Sequence, residues 1–479
     1  MTSQIVTRED CQIVVKNHLQ RELFQITDYQ TGQFFDEVNG FLGEHLFLTI
    51  NVLLGGKIQT LRFFLKKFPS THPLQSEFLR SMNGWQREIY CFQTFLPTIK
   101  QTLPDYQLDF VPECFLGKPD DVLVFEDLTL RNYDLPRQAN LNLLDNEHIS
   151  LALASLAKFH AGSLAYEEYQ SKRLGEPFRL FTGQEQLVKE PLLRRENGFL
   201  GYDFFKAAMK GLKALIGKVH PKNQVALEEV QQKFDTLAAK ALALMCPQTT
   251  FRNVLAHGDL WAKNVMFQYE GHKPIKAVLV DFQLIRYHVP AHDVLLFLAL
   301  TTNRRVRQEK FHFYLKFYHD ALAKELEPVN IDATSIGMSY EQFQKSVSFI
   351  MPEIKIHGAL LRLQQCGNKD FYKKLVTDKE AYKNFIFVDK APFALELFET
   401  DANFRTLLSE AVEEIIEAAL YPQVIREDCY RILQDELACT DYELLRYEVR
   451  STGAESQLEI DVITKGGRRQ INYLLPSSH

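Results

Sequence analysis

One short stretch constrains this chain more than any other: His257-Gly258-Asp259-Leu260-Trp261-Ala262-Lys263-Asn264, followed after a strand-like interval by Asp281-Phe282-Gln283. An Asp five residues before an Asn on one tight loop can hold an acceptor hydroxyl, while the Asn oxygen helps bind the magnesium that neutralises phosphate charge. The interval contains two apolar runs, 265–269 and 277–280, split by Glu270-Gly271-His272-Lys273-Pro274. That pattern reads as a strand, turn and strand, which would return Asp281 to the mouth of the loop. Magnesium keeps several waters, so two side chains and the nucleotide phosphates suffice to hold it. Asp259 is therefore the candidate base, and Asn264 and Asp281 are the candidate metal ligands. Any one of these residues alone would more often be a turn or cap residue; the ordered set ahead of a strand is what points to phosphoryl transfer. His257 reads as a buried organiser of the loop, with no chemical step.

At 479 residues the chain exceeds one ordinary core. Its 46% apolar and 24% charged residues are those of a soluble globular protein. A net charge of -6 speaks against nucleic acid as a partner, whose footprint is a basic domain. The run from Val294 to Leu300 is seven residues, well below the roughly 20 a membrane helix needs. No membrane partner is expected, and the first ten residues lack the layout of a secretory signal. Seven cysteines, odd in number and without a Cys-x-x-Cys pair, make a reducing, cytoplasmic location the expectation. With 36 Phe and 19 Tyr, a Phe-rich core is favoured over an aromatic-lined pocket.

Along the chain, residues 9–25 carry an amphipathic helical pattern. Residues 34–40, 46–54, 58–66, 108–115 and 122–125 read as strands of a five-stranded sheet, with Gly55-Gly56 the clearest hairpin signal and 76–96 as its helix. Lys66 and Lys67 end one strand on opposite faces, so only one can enter a cleft. Glu88, central in the helix, could pair with that lysine or sit solvated. Gly43, in the turn 40–45, is the candidate cover for phosphates. Glu126-Asp127-Leu128 reads as a hinge, where the backbone of Glu126 and Leu128 could meet the adenine edge. Beyond it helices dominate: 148–169 with Asp145 as N-cap, 203–218, 222–245, and 293 to about 420. The fold class is α+β, a small β-rich N-lobe over residues 1–126 and a larger α-rich C-lobe over 127–425.

The chain resembles the ecdysteroid kinase-like family, in the choline kinase and aminoglycoside phosphotransferase branch of the protein kinase-like bilobal fold. The stretches that carry it are Phe64-Leu65-Lys66-Lys67-Phe68-Pro69, Glu88-Ile89-Tyr90, Leu123-Val124-Phe125-Glu126-Asp127-Leu128, Leu156-Ala157-Lys158-Phe159-His160-Ala161, His257-Gly258-Asp259-Leu260-Trp261 with Asn264, and Asp281-Phe282-Gln283 with Pro290 and Asp293. The resemblance implies ATP and magnesium as cofactors, Asp259 as base, Asn264 and Asp281 on the metal, Lys66 paired with Glu88 on the phosphates, and Asp293 supporting the catalytic loop. It implies a small-molecule hydroxyl substrate, steroid-like or xenobiotic. The family usually has Gly-Asp-Asn-Tyr where this chain has Gly43-Glu44-His45-Leu46, and Glu44 would bring negative charge toward phosphate. The competing expectation is a catalytically silent binding or scaffold protein.

The chain also echoes its own beginning. Arg8-Glu9-Asp10-Cys11 recurs as Arg426-Glu427-Asp428-Cys429, Thr27-Asp28-Tyr29 as Thr440-Asp441-Tyr442, and Gly55-Gly56 as Gly466-Gly467. Residues 426–479 are thus expected to form the start of a second, truncated N-lobe.

Overall fold

The computed structural model describes residues 5–33, 43–137, 142–220, 225–421, 442–452, 455–464 and 467–475. Strands β1 (Gln25–Gln33), β2 (Glu44–Leu54), β3 (Lys57–Lys67), β4 (Cys114–Gly117) and β5 (Val122–Glu126) form an antiparallel sheet in the order β1-β2-β3-β5-β4. Alternation dictates which face is inside: Leu48, Ile50 and Val52 of β2 and Leu61, Phe63 and Leu65 of β3 are buried. They pack with Cys11, Val14 and Val15 of the helix Arg8–Leu19. That helix starts on a capping box in which Thr7 and Asp10 satisfy each other's backbone N–H.

The structure departs from the sequence reading at four places in this lobe. The helical pattern of 9–25 stops at Leu19, before the left-handed Gln20. The expected strand 108–115 begins only at Cys114. The first strand is Gln25–Gln33, whereas the expected 34–40 lies outside the described residues. Only Ile26 of β1 is buried, because β1 is an edge strand held by backbone pairing to β2, so it carries no apolar alternation to read. The expected helix 76–96 is broken: Pro73–Ser81 ends before Asn83, which is left-handed at φ 53°, and Gly84–Tyr90 runs into a π-helical turn at Cys91–Phe95 before Leu96–Thr102.

The C-lobe is built around the 29-residue helix Asn146–Leu174, capped by Asp145 accepting from His148 N at 3.0 Å. A short β6 (Tyr133–Asp134) precedes it. The helices Leu200–Val219 and Leu227–Leu244 follow, then β7 (Val254–Ala256), β8 (Val265–Glu270), β9 (Lys273–Leu279) and β10 (Arg286–His288). β8 and β9 form the expected hairpin, and β7 pairs with β10. Helices Ala291–Thr301, Arg304–Leu326, Tyr340–Gln365, Ala391–Thr400 and Ala402–Leu420 complete the lobe. The phenylalanines serve the core: Phe159 packs edge-on against Phe95 and Phe282, and Phe282 against Phe92. Among the described residues no helix is long and apolar enough to cross a membrane.

Strands β11 (Tyr442–Thr452), β12 (Glu455–Thr464) and β13 (Gly467–Leu475) form a separate antiparallel sheet in that order. Its register repeats that of β1, β2 and β3. Tyr29 faces Ile50 and Ile50 faces Leu61; Tyr447 faces Ile460 and Ile460 faces Ile471. Both first strands carry a register shift at the same place, between Ile26 and Asp28 and between Leu444 and Arg446. The pairing therefore aligns Tyr29 with Tyr447 and not with Tyr442, and Gly467, paired with Thr464, with Lys57, paired with Leu54, and not with Gly56, because strand register, and not sequence identity, decides equivalence. The helical half of the echo and Thr440-Asp441 lie outside the described residues.

Candidate active site

The loop after β7 is shaped by one buried carboxylate. Asp293, in the first turn of Ala291–Thr301, accepts from His257 N at 2.5 Å and Gly258 N at 2.9 Å, and it contacts His160 Nε2 at 3.0 Å and His292 Nδ1 at 3.2 Å. Burial alone would push its carboxyl up; the hydrogen bonds from His160 and His292 outweigh this and hold it well below the usual range. Gly258 has φ 81°, and a Cβ there would lie 2.1 Å from Leu284 O, so only glycine fits. Arg286 Nη2 donates to Gly258 O at 3.1 Å and Nη1 to Glu190 at 2.5 Å. His257 is buried and its Nε2 bonds to Val280 O at 3.0 Å, while Asp259 N approaches Nδ1 at 3.3 Å. Burial pushes it below its ordinary value, so it is a neutral strut.

The loop then presents its chemistry. Asn264 Nδ2 donates to Asp259 O at 2.7 Å and to Asp259 Oδ2 at 3.2 Å. With the amide nitrogen committed, Oδ1 is the atom Asn264 offers to a cation. Val280 N bonds to Asn264 O at 3.0 Å, which draws the end of the hairpin onto the loop. Asp281 follows in the left-handed region at φ 66°, uncommon for a non-glycine residue although Asp tolerates it better than most. Asp259 and Asp281 are both half-buried. Desolvation, then repulsion from Asp281, pushes the Asp259 carboxyl up to about 8. Two close carboxylates and an amide oxygen are a donor set that suits a hard divalent cation.

Across the cleft, Lys66 Nζ lies 2.7 Å from Glu88 Oε2 and 3.0 Å from Asp281 Oδ1. Glu88 Oε1 also accepts from Phe282 N at 3.3 Å, so one carboxylate ties the β3 lysine to the segment carrying Asp281. Burial opposes the charge on Lys66, and Asp281 and Glu88 outweigh it, raising its pKa. The strand alternation resolves as the sequence required: Lys67 takes the other face and bonds to Glu44 at 2.9 Å. Thr71 Oγ1 donates to the same carboxylate at 2.9 Å. The charge on Glu44 is thus engaged away from Lys66. Gly43 stands over Lys66, a Cβ there falling 3.4 Å from Cε. Of the turn that was to cover the phosphates, residues 40–42 lie outside the described residues.

At the hinge, Glu126 is held by Glu113 N at 3.1 Å and Arg131 Nη1 at 2.9 Å. Leu128 is buried with Tyr133 and Val278, and Met266 and Val280 pack against them. This apolar patch leads from the hinge to Asp281.

The helix Gly84–Tyr90 also carries Arg87, fully buried, which donates to Met82 O, Leu187 O, Lys189 O and Ile285 O. Sequence reasoning missed Arg87, Arg286 and Glu190. Arg286 and Glu190 pair across 96 residues, and Arg87 reaches Leu187 O and Ile285 O across 100 and 198; buried polar residues at such separation leave no local period.

Residues 39–331 match the ecdysteroid kinase-like family. The chain belongs to that family. It is accordingly a kinase-like phosphotransferase. No curated protein matches the chain. Solved structures similar to it include the GDP and kanamycin complex of APH(2″)-IIia, at 10% identity over 82% of this chain and 98% of that one, TM-score 0.34. A GDP complex of a mutant aminoglycoside 2′-phosphotransferase-IIIa is 12% identical over 82% and 97%, TM-score 0.35. The wild-type GDP complex is 11% identical over 83% and 98%, TM-score 0.34.

Proposed function

We propose that this chain transfers the γ-phosphoryl group of ATP to a hydroxyl of a small steroid-like (ecdysteroid) or xenobiotic alcohol. One observation carries the reading: Asp259, Asn264 and Asp281, brought together by a loop and a hairpin, face a Lys66–Glu88 pair that reaches Asp281 at 3.0 Å. Asn264 Oδ1 and Asp281 would hold magnesium, which when bound neutralises phosphate charge. Lys66 places its ammonium on the phosphates, kept in position by Glu88. The hinge backbone at Glu126 and Leu128, above the apolar patch of Met266 and Val278, receives the base, and Gly43 lets the chain close over the phosphates. Asp259 takes the proton of the acceptor hydroxyl as its oxygen bonds to the γ-phosphorus and the bond to the ADP oxygen breaks.

The silent-scaffold alternative rests on Glu44 and on the 426–479 extension; the engagement of the Glu44 carboxylate by Lys67 and Thr71 supports the kinase reading over it. We read residues 426–479 as an extension resembling the start of a second N-lobe, supported by the register of β1 to β3 recurring in β11 to β13; those strands hold no counterpart of Asp259 or Asn264. A reducing, cytoplasmic setting belongs to the same reading.

The test is a hydroxylated-metabolite screen with radiolabelled ATP and magnesium, using wild type and Asp259→Asn. The variant should lose transfer and keep ATP binding, seen as a thermal shift; a ligand at 100 times its Kd stabilises by about 2.7 kcal/mol. Turnover by Asp259→Asn close to wild type would sink the assignment of the base.

A further inference from the structure

One residue before Asp293, a second polar cluster begins that plays no part in phosphoryl transfer. His292, in the first turn of Ala291–Thr301, meets Glu353 and His357, which lie one turn apart on Tyr340–Gln365. All three are completely buried. Their candidate ligand atoms lie within 4.8 Å of one another. His292 Nε2 is 3.1 Å from Glu353 Oε1, and His357 Nδ1 is 3.5 Å from the same oxygen.

None of these approaches has hydrogen-bond geometry. His292 Nε2, both Glu353 oxygens and both His357 ring nitrogens are buried with no hydrogen-bond partner. Leaving such groups unsatisfied costs about 1–3 kcal/mol each, and more when charged. One ligand atom from each of the three residues, all within 4.8 Å of one another and buried without hydrogen bonds, frame a space that a cation would satisfy. Ligands about 2.0–2.1 Å from a tetrahedral zinc stand about 3.3–3.4 Å apart, and the two short edges of this triangle, 3.1 and 3.5 Å, bracket that value.

The surroundings fit a cation. His292 Nδ1 is 3.2 Å from Asp293 Oδ1, and donating its proton there leaves the Nε2 lone pair directed at Glu353. A carboxylate behind the histidine in this way is the usual support of a metal ligand. Asp293 and Glu353 together carry two negative charges, matching a divalent ion. His288 also faces Glu353, at 3.8 Å, but it is not a ligand, because Nε2 bonds to Leu244 O and Nδ1 accepts from Val289 N. Among the described residues the Arg286 guanidinium opposes a cation here, and Glu190 pairs with it at 2.5 Å.

We propose that His292, Glu353 and His357 bind a divalent metal ion, zinc by donor type, with water in the fourth position. The ion ties the helix Tyr340–Gln365 through His292 to Asp293, and so braces the carboxylate that holds His257 and Gly258. It is a structural site, separate from the magnesium site at Asn264 and Asp281, and the proposal does not depend on the phosphotransfer reading.

Tag-free protein purified without chelators should carry about one zinc per chain by mass spectrometry. Cobalt reconstitution should give the visible bands of a tetrahedral ion. Glu353→Gln and His357→Gln should bind at least about tenfold more weakly, with circular dichroism reporting whether each variant folds. If neither folds, wild type decides: stripping with dipicolinate should lower Tm, and added zinc should restore it. Folded wild type holding no stoichiometric metal, with Tm and cobalt spectrum unmoved on titration, would overturn the proposal. Metal content unchanged in both folded variants would overturn it equally. The cluster would then be a proton-bridged pair, in which Glu353 and Asp293 outweigh burial and raise His292 to about 9.

Discussion

The Lys66 ammonium and the Glu88 carboxylate meet at 2.7 Å with side chains 5% and 1% exposed. Each is the other's compensation for lost water. Lys66→Met should therefore cost about 3–5 kcal/mol in denaturant unfolding, since it leaves Glu88 buried beside Asp281. Lys66→Met with Glu88→Met should cost clearly less than the sum of the single changes. Additive costs would show that the pair is not coupled.

Gly258→Ala tests the proposed catalytic loop by sterics alone. Its Cβ would meet Leu284 O at 2.1 Å on a backbone at φ 81°. Turnover should vanish and stability should fall by more than the roughly 1–2 kcal/mol of a left-handed alanine. Gly271→Ala, at φ 62° on the β8–β9 turn with open space around it, should cost about that amount and keep activity.

Asp293→Asn replaces one acceptor oxygen by a donor facing other donors. We expect a kcat loss of about tenfold or more with ATP binding largely kept, and a stability loss of about 1–3 kcal/mol. The wild-type carboxyl is depressed in the fold, so its stabilisation is present above the ordinary carboxylate pKa and disappears as pH falls through the folded value. Acid unfolding of Asp293→Asn should accordingly be shallower than that of wild type.

Asp259 titrates high, at about 8, because burial and Asp281 disfavour its charge. The proposed base must be ionised to act, so kcat/KM should fall on the acidic side, with the limb near pH 8 at low magnesium and at lower pH when magnesium saturates Asp281. A limb indifferent to magnesium would contradict the proposed metal ligand. The raised folded pKa also means that ionisation of the unfolded chain penalises folding increasingly from the ordinary carboxylate pKa up to about 8. Asp259→Asn should raise Tm, and more at pH 8 than at pH 5.

Much of the catalytic loop was legible without coordinates, because its signals are local. Asp259 and Asn264 share one loop, the β8–β9 hairpin is marked by turn residues, and Asp145 announces its helix. β1 was invisible because an edge strand with one buried side chain has no period. The break at Asn83 escaped because a left-handed residue within an apolar helical pattern leaves the pattern intact.

The sequence by itself determined the residue types of the loop, the hairpin that returns Asp281, and the rule that Lys66 and Lys67 face opposite ways. Only the tertiary structure decided that Lys66 is the one inside, that Glu88 and Asp281 both reach it, and that Asp293 clamps the loop from 35 residues away. It alone brought His292 to Glu353 and His357. Periodicity reports which face of an element is apolar; it carries no information about which buried polar groups will meet across elements. Those meetings are set when the lobes pack and each buried charge must find a partner.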